Sequence, residues 1–245
     1  MTGTAPALRF RSVSKRYGKT PALTDFSLEI LGGELFALVG GNGAGKTTLI
    51  KCLLDFQAAD SGAIEIAGVA HTLTRARADL AFLPERFNPP HYLTGRDFLR
   101  YMAELHRTIY DETRVKEVFG SLELAISALD RPARTYSKGM TQKLGLAACL
   151  LSGKSLQVLD EPTSGLDPLA RALFKRELKS LRDAGSTVFF TSHSLADVQE
   201  LCDRMALLHA GRLMYAGTPS DLMLKFGANT LEEAFLACIG EAVAA

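Results

Sequence analysis

No stretch of this 245-residue chain approaches the run of about 20 apolar residues that a membrane-spanning helix requires. The N-terminus, MTGTAPALRF, has no hydrophobic core of the kind a secretion signal carries. Together these absences predict a chain that stays in the cytoplasm. No CxxC pair is present either. Cys52, Cys149, Cys202 and Cys238 stand far apart, which argues against a zinc site or a disulfide framework and for reduced, buried thiols. An excess of charge of one sign is also missing. Lys and Arg total 28 against 27 for Asp and Glu, a net charge of +1 with no basic block, so nothing marks a nucleic-acid partner. There are no internal repeats and no low-complexity segments. What remains is enough chain for one large α/β domain or two small ones.

Periodicity organises that chain. Leu8 to Val13 and Phe26 to Ile30 alternate as half-buried strands do, with KRYGKTPAL between them as a turn-rich loop, which predicts an antiparallel β-layer. Leu35 to Val39 is a wholly apolar strand, and Ile64 to Ile66 and Leu80 to Leu83 add short ones. From Thr94 the spacing becomes helical, through Phe98, Leu99, Met102 and Leu105 and then Val115, Val118, Phe119 and Leu122. This predicts a helical subdomain inserted at about 86–154. Strand signals return at Leu156 to Leu159 and Thr187 to Phe190, the βαβ rhythm of a mostly parallel sheet. A hairpin follows around Ala210-Gly211. An amphipathic tail occupies 219–245, beyond a main domain of 1–218.

Between the strand at Val39 and the apolar residues Leu49, Ile50 and Leu53 lies GGNGAGKTT, Gly40 to Thr48. A strand, a glycine-rich turn and a helix in that order are what a phosphate-binding loop needs. The predicted cradle comprises Gly40, Gly41, Asn42, Gly43, Ala44, Gly45, Lys46, Thr47 and Thr48. Its backbone N–H groups would face phosphate oxygens at a helix N-terminus. Lys46 would reach the β- and γ-phosphates, and the Thr47 hydroxyl would take one position on an octahedral Mg²⁺. The strand SLQVLDE ends in adjacent carboxylates, and strand side chains alternate in direction, so Asp160 and Glu161 are given different tasks. Asp160 suits the Mg²⁺ shell, and Glu161 suits a general base or positioner for the attacking water.

With these residues in place the chain resembles the nucleotide-binding subunit of an ATP-binding cassette (ABC) transporter. Pro162 to Asp167 is similar to that family's D-loop, and Thr191-Ser192-His193 to its switch histidine. Tyr136 to Lys143 is similar to its signature, and Tyr17 to the aromatic that stacks on adenine. The resemblance implies a P-loop NTPase core, a mostly parallel sheet flanked by helices, with an N-terminal antiparallel β-layer and the inserted helical subdomain. It implies ATP and Mg²⁺, with His193 on the γ-phosphate and Ser137, Lys138 and Gly139 closing on ATP held by the opposite subunit. It also implies a homodimer or paired cassette, and a separate transmembrane permease contacted near Glu85 to Asp97. Location would be the cytoplasmic face of the inner membrane, peripheral through the permease. The tail and the Leu83-Pro84-Glu85 loop resemble exporter subunits. Some residues depart from the pattern. Glu85 stands where the family commonly has glutamine and is expected to ligate Mg²⁺. Lys138 replaces a glycine, Met140 a glutamine and Gly41 a proline. A core role for Tyr17, a solvated Lys138 and a plain connecting loop at 86–97 remain alternatives, as does a soluble clamp ATPase that moves no cargo.

Overall fold

The computed structural model describes residues 6–244. Residues 1–5 of the N-terminal segment and residue 245 of the tail lie outside the described residues. The chain begins with a long hairpin, β1 (Pro6–Tyr17) and β2 (Thr20–Leu31). It is followed by β3 (Leu35–Val39), α1 (Lys46–Leu53), β4 (Ser61–Ile66), β5 (Val69–Ala70) and β6 (Leu80–Leu83). Three helices come next, α2 (Gly95–His106), α3 (Glu112–Ser121) and α4 (Lys138–Leu151). The chain then returns to β7 (Leu156–Leu159), α5 (Pro168–Asp183), β8 (Thr187–Ser192), α6 (Leu195–Leu201), β9 (Arg204–His209) and β10 (Arg212–Gly217). It ends in α7 (Pro219–Phe226) and α8 (Leu231–Ala244).

Two sheets result. One is antiparallel with order β2-β1-β4-β5, and the other has order β10-β9-β3-β8-β7-β6, parallel except for its β10 edge. The predicted α/β class, with an antiparallel layer beside a parallel core, is therefore the observed one. The expected loop KRYGKTPAL is shorter than anticipated. Pairing continues to Tyr17 opposite Thr20, and the reversal takes only Gly18 and Lys19. Alternation is broken there by bulges between Phe10 and Lys15, with Ser12 at φ 48° and Asp25 at φ 49°, so the simple two-residue period undercounts the strands.

Two apolar cores lie on the two faces of the parallel sheet. Phe10, Phe26, Phe36 and Phe189 fill the space between the sheets around α1. On the other face, Phe119, Leu144, Phe174 and Phe190 join the inserted helices, α5 and the C-terminal helices. Leu222, Leu231 and Ala234 of the tail are fully buried in this second core. The helices start where their sequences cap them. Thr94, Asp111, Ser137, Asp167, Ser194 and Thr218 each accept a backbone N–H from the first turn that follows. Cys52, Cys149 and Cys238 are buried and unbridged, and burial pushes the Cys149 thiol up to about 12. Among the described residues no helix is long and apolar enough to cross a membrane.

Phe119 is wholly buried where the inserted helices pack together. Phe119→Ala is expected to cost about 3–5 kcal/mol of stability, read as a shift in the urea midpoint. A shift worth less than about 1 kcal/mol would mean that this subdomain collapses around the cavity instead of holding it open.

Candidate nucleotide site

The site lies along the carboxyl ends of four adjacent parallel strands. In sheet order these are β3, β8, β7 and β6. Past β3 comes the glycine loop, past β8 His193, past β7 Asp160 and Glu161, and past β6 Glu85. Residues far apart in sequence thus meet on one edge, the place where open α/β sheets gather ligands.

Alone among the helices with a described cap, α1 starts on a glycine and has no side-chain cap, its N-cap Gly45 sitting at φ 113°. Its first-turn N–H groups are therefore left to an outside acceptor, as an anion site requires. The backbone there has no room for a side chain. A Cβ on Gly45 would lie 2.5 Å from the Ala22 carbonyl oxygen, and one on Gly40 would lie 2.4 Å from the Leu208 carbonyl. From beneath, the β9–β10 turn pins the loop, with the Gly211 N–H donating to the Ala44 carbonyl at 3.0 Å.

Above this loop lies a cleft of ≈ 550 Å³. Gly41 through Thr48 line it together with Tyr17, Glu85, Glu161 and His193. Ala22 and Ser164 also line it; Ser164 belongs to the Pro162–Asp167 segment, but neither residue is assigned to the site from sequence. Gly40 lies beneath the cleft wall, where its carbonyl accepts from Lys46 Nζ at 2.7 Å. Lys46 Nζ also reaches the Gly41 carbonyl at 3.3 Å and sits 3.1 Å from Glu161 Oε1. The other Glu161 oxygen, Oε2, is 2.7 Å from His193 Nδ1. One carboxylate thus bridges the cradle lysine and the histidine.

Strand alternation does not explain why Asp160 and Glu161 part company, because β7 ends at Leu159. Glu161 instead adopts a left-handed backbone, φ 46°, a conformation unfavourable for a residue with a side chain. Thr191 holds it there. The Thr191 hydroxyl accepts the Glu161 N–H at 2.8 Å and donates to Asp160 Oδ1 at 2.7 Å. This threonine is a site residue that the sequence reading left without a role. A hydroxyl beside a histidine carries no distinctive signal until the strand register places it against the carboxylates.

Asp160 is almost fully buried, and burial raises its pKa against the pull of its hydrogen bonds to Thr191 and Thr47. Thr47 Oγ1 donates to Asp160 Oδ2 at 3.2 Å, and no Lys or Arg pairs with Asp160 among the described residues. A buried carboxylate beside a hydroxyl, short of positive charge, fits a hard cation. No cluster of three His, Cys, Asp or Glu side chains suited to a metal occurs among the described residues. The Thr47 hydroxyl and the Asp160 carboxylate are the one or two protein oxygens that an ion such as Mg²⁺ takes before completing its shell with water and phosphate, so the pair fits that ion.

The signature residues do not enter this cleft. Ser137 caps α4 by accepting the Met140 N–H at 3.2 Å, with Lys138 and Gly139 in the first turn. Lys138 reaches over its own chain's D-loop, so that a Cβ on Gly165 would lie 2.5 Å from its Nζ. It lines a second cleft that shares Glu85 and Ser164 with the first. Asp167 caps α5, accepting the Ala170 N–H at 2.8 Å. In the expected surface loop 86–97, Phe87 packs on Phe98 and Tyr92 is 71% exposed, while Gly95 to Asp97 already form the first turn of α2.

The model of the family described as ABC transporter matches residues 23–164. An uncharacterized ABC transporter ATP-binding protein of Bacillus subtilis is 36% identical over 211 residues, 85% of this chain and 68% of that protein. The Nod factor export ATP-binding protein I of Rhizobium etli is 35% identical over 223 residues, 89% of this chain and 70% of its own length. Two cyanobacterial relatives are longer still, the chain spanning 59% and 62% of their lengths. Among solved structures, one described as the ATP binding subunit of an ABC transporter superposes with a TM-score of 0.86 at 29% identity, covering 95% of this chain and 99% of that one.

Gly45→Ala places a methyl against the Ala22 carbonyl and forces an unfavourable φ. It is expected to abolish measurable ATP binding in a calorimetric titration while circular dichroism keeps the wild-type secondary structure. Wild-type ATP affinity in this variant would show that the loop does not need the conformation seen.

Proposed function

Because the chain belongs to the ABC transporter family, whose ATP-binding subunits hydrolyse ATP, we propose that it pairs with a second cassette around two ATP molecules and drives a separate transmembrane permease. The observation that carries the residue assignment is the Glu161 carboxylate set between Lys46 and His193 at the rim of the phosphate cleft. Tyr17 offers a ring to stack on adenine, worth about 1–3 kcal/mol. The loop N–H groups take the phosphate oxygens. Lys46 turns from the Gly40 and Gly41 carbonyls to the β- and γ-phosphates, a charge-assisted bond stronger than those it gives up. Glu161, with its cation drawn toward phosphate, orients a water and takes its proton as that water attacks the γ-phosphorus, while the bond from that phosphorus to the β–γ bridging oxygen breaks and ADP leaves. His193 keeps Nδ1 on Glu161 and has its other nitrogen for the γ-phosphate. Donating to both at once requires the imidazolium form. Thr47 and Asp160, with Glu85 as a further carboxylate, would hold Mg²⁺, which would supply charge neutralisation on the phosphates.

Ser137, Lys138 and Gly139 lie outside their own cleft, so a second copy is the natural source of the signature that completes each site. Asp167 ends the proposed D-loop, where it caps α5. The surface from Glu85 to Asp97, with Tyr92 bare to solvent, is the proposed permease contact. Through it the chain would sit on the cytoplasmic face of the inner membrane. Similarity to a Nod factor export subunit favours outward transport.

Glu161→Gln keeps the shape of the site but removes the base. It is expected to lower turnover at least a hundredfold, and to accumulate as an ATP-bound dimer on size exclusion. Turnover within a few-fold of wild type, or a monomer in saturating ATP, would refute the assignment. Glu85 gives a separate test. If it ligates Mg²⁺, Glu85→Gln raises the Mg²⁺ needed for half-maximal ATPase activity and Glu85→Ala raises it further, because a neutral amide is a weaker ligand for a hard cation. Superimposable Mg²⁺ titrations for the three proteins would remove Glu85 from the metal site.

A further inference from the structure

Tyr17 stands at the tip of the β1–β2 hairpin, 45% exposed, and a side chain so placed would ordinarily sample several rotamers. A stacking platform needs the opposite, a ring whose plane is fixed before the base arrives, since ordering it on binding reduces affinity. The hairpin end is held by a segment outside the recognised motifs, the turn that follows α1. Asp60 accepts from Lys15 Nζ and from the Arg16 N–H, both at 2.7 Å, and its own N–H donates to the Ser14 carbonyl at 2.9 Å. These bonds fix the backbone on the N-terminal side of Tyr17. The ring itself is held by Gln57, whose Oε1 accepts the Tyr17 hydroxyl at 2.6 Å. Gln57 is in turn fixed to α1, its N–H donating to the Lys51 carbonyl at 3.2 Å.

The geometry points to Gln57 as a positioning residue for nucleotide binding, one that anchors the Tyr17 hydroxyl and so presets the ring on which the base stacks. This rests on the reading of Tyr17 as the base platform. Gln57 does not line the cleft and acts through Tyr17 alone. Its effect is confined to ligands that carry a base, and a polyphosphate without one is blind to it. The role needs an acceptor at position 57, so a glutamate there preserves it and a leucine of similar size does not.

Calorimetric titration of the whole chain with ATP and, separately, with tripolyphosphate tests this in Gln57→Leu, Gln57→Glu, Tyr17→Phe and Tyr17→Ala. Gln57→Leu and Tyr17→Phe are each expected to weaken ATP binding about three- to tenfold, the span of one lost hydrogen bond. The double variant should be no weaker than either single one, because both delete the same contact. Gln57→Glu should stay within about twofold of wild type. Tripolyphosphate affinity should be the same in all variants. Wild-type ATP affinity in Gln57→Leu, alongside weakened binding in Tyr17→Ala, would overturn the positioning role and leave the platform reading standing. Equal ATP affinity in Tyr17→Ala and wild type would overturn both. A parallel loss of tripolyphosphate binding in Gln57→Leu would assign Gln57 to folding of the α1 turn and also overturn the proposal.

Discussion

The register of three parallel strands governs the chemistry of this chain. Leu38 pairs with Thr191 across β3 and β8, and Leu159 with Phe190 across β7 and β8. That register sets Thr191 beside Asp160, and the threonine hydroxyl then ties Asp160 to the backbone of Glu161. A slip of one residue would turn every side chain to the opposite face and separate the glycine loop, the carboxylates and the histidine at once. β3 is wholly apolar and β7 is apolar but for the buried Gln157, so what holds the register is the fit of their individual side chains into the two cores that cover both sides of the sheet.

Around that register the site is short of positive charge. Lys46 and Glu161 satisfy one another, but Asp160 has only hydroxyl donors, and Glu85 brings another carboxylate to the same cleft. The local balance favours a ligand that arrives with a cation. A triphosphate accompanied by Mg²⁺ meets both demands, adding acceptors for the uncapped start of α1 and a cation for Asp160.

Much of this could be read from the sequence because the relevant signals are local. The glycine loop follows an apolar strand and opens a helix, the carboxylates end another strand, and the inserted helices show their periodicity from Thr94 onward. Geometry that depends on non-local pairing carries no such local signal. The hairpin from Pro6 to Leu31 pairs farther than its alternation suggested because bulges reset its phase between Phe10 and Lys15. The divergence of Asp160 and Glu161 was expected from strand alternation, and its actual source is a left-handed turn that no pattern of residue types announces. Thr191 and Gln57 have no role legible in sequence for the same reason, since each acts through a partner thirty or more residues away.

The uncapped helix α1 has a consequence for how the molecule divides its work. The N-terminal end of α1 opens on the cradle and the turn beyond its C-terminal end grips the hairpin that carries Tyr17, so on the proposed function both ends of a nucleotide would be met by one continuous piece of chain, residues 15–60. The groups proposed to act on the terminal phosphate hang instead from β7, β8 and β6, and depend on how those strands are held together. On that reading retention of a ligand would rest mainly on one stretch of chain, braced by the β9–β10 turn, and its consumption on several. On the proposed function, a displacement of β6, β7 or β8 would disturb turnover before it disturbed binding.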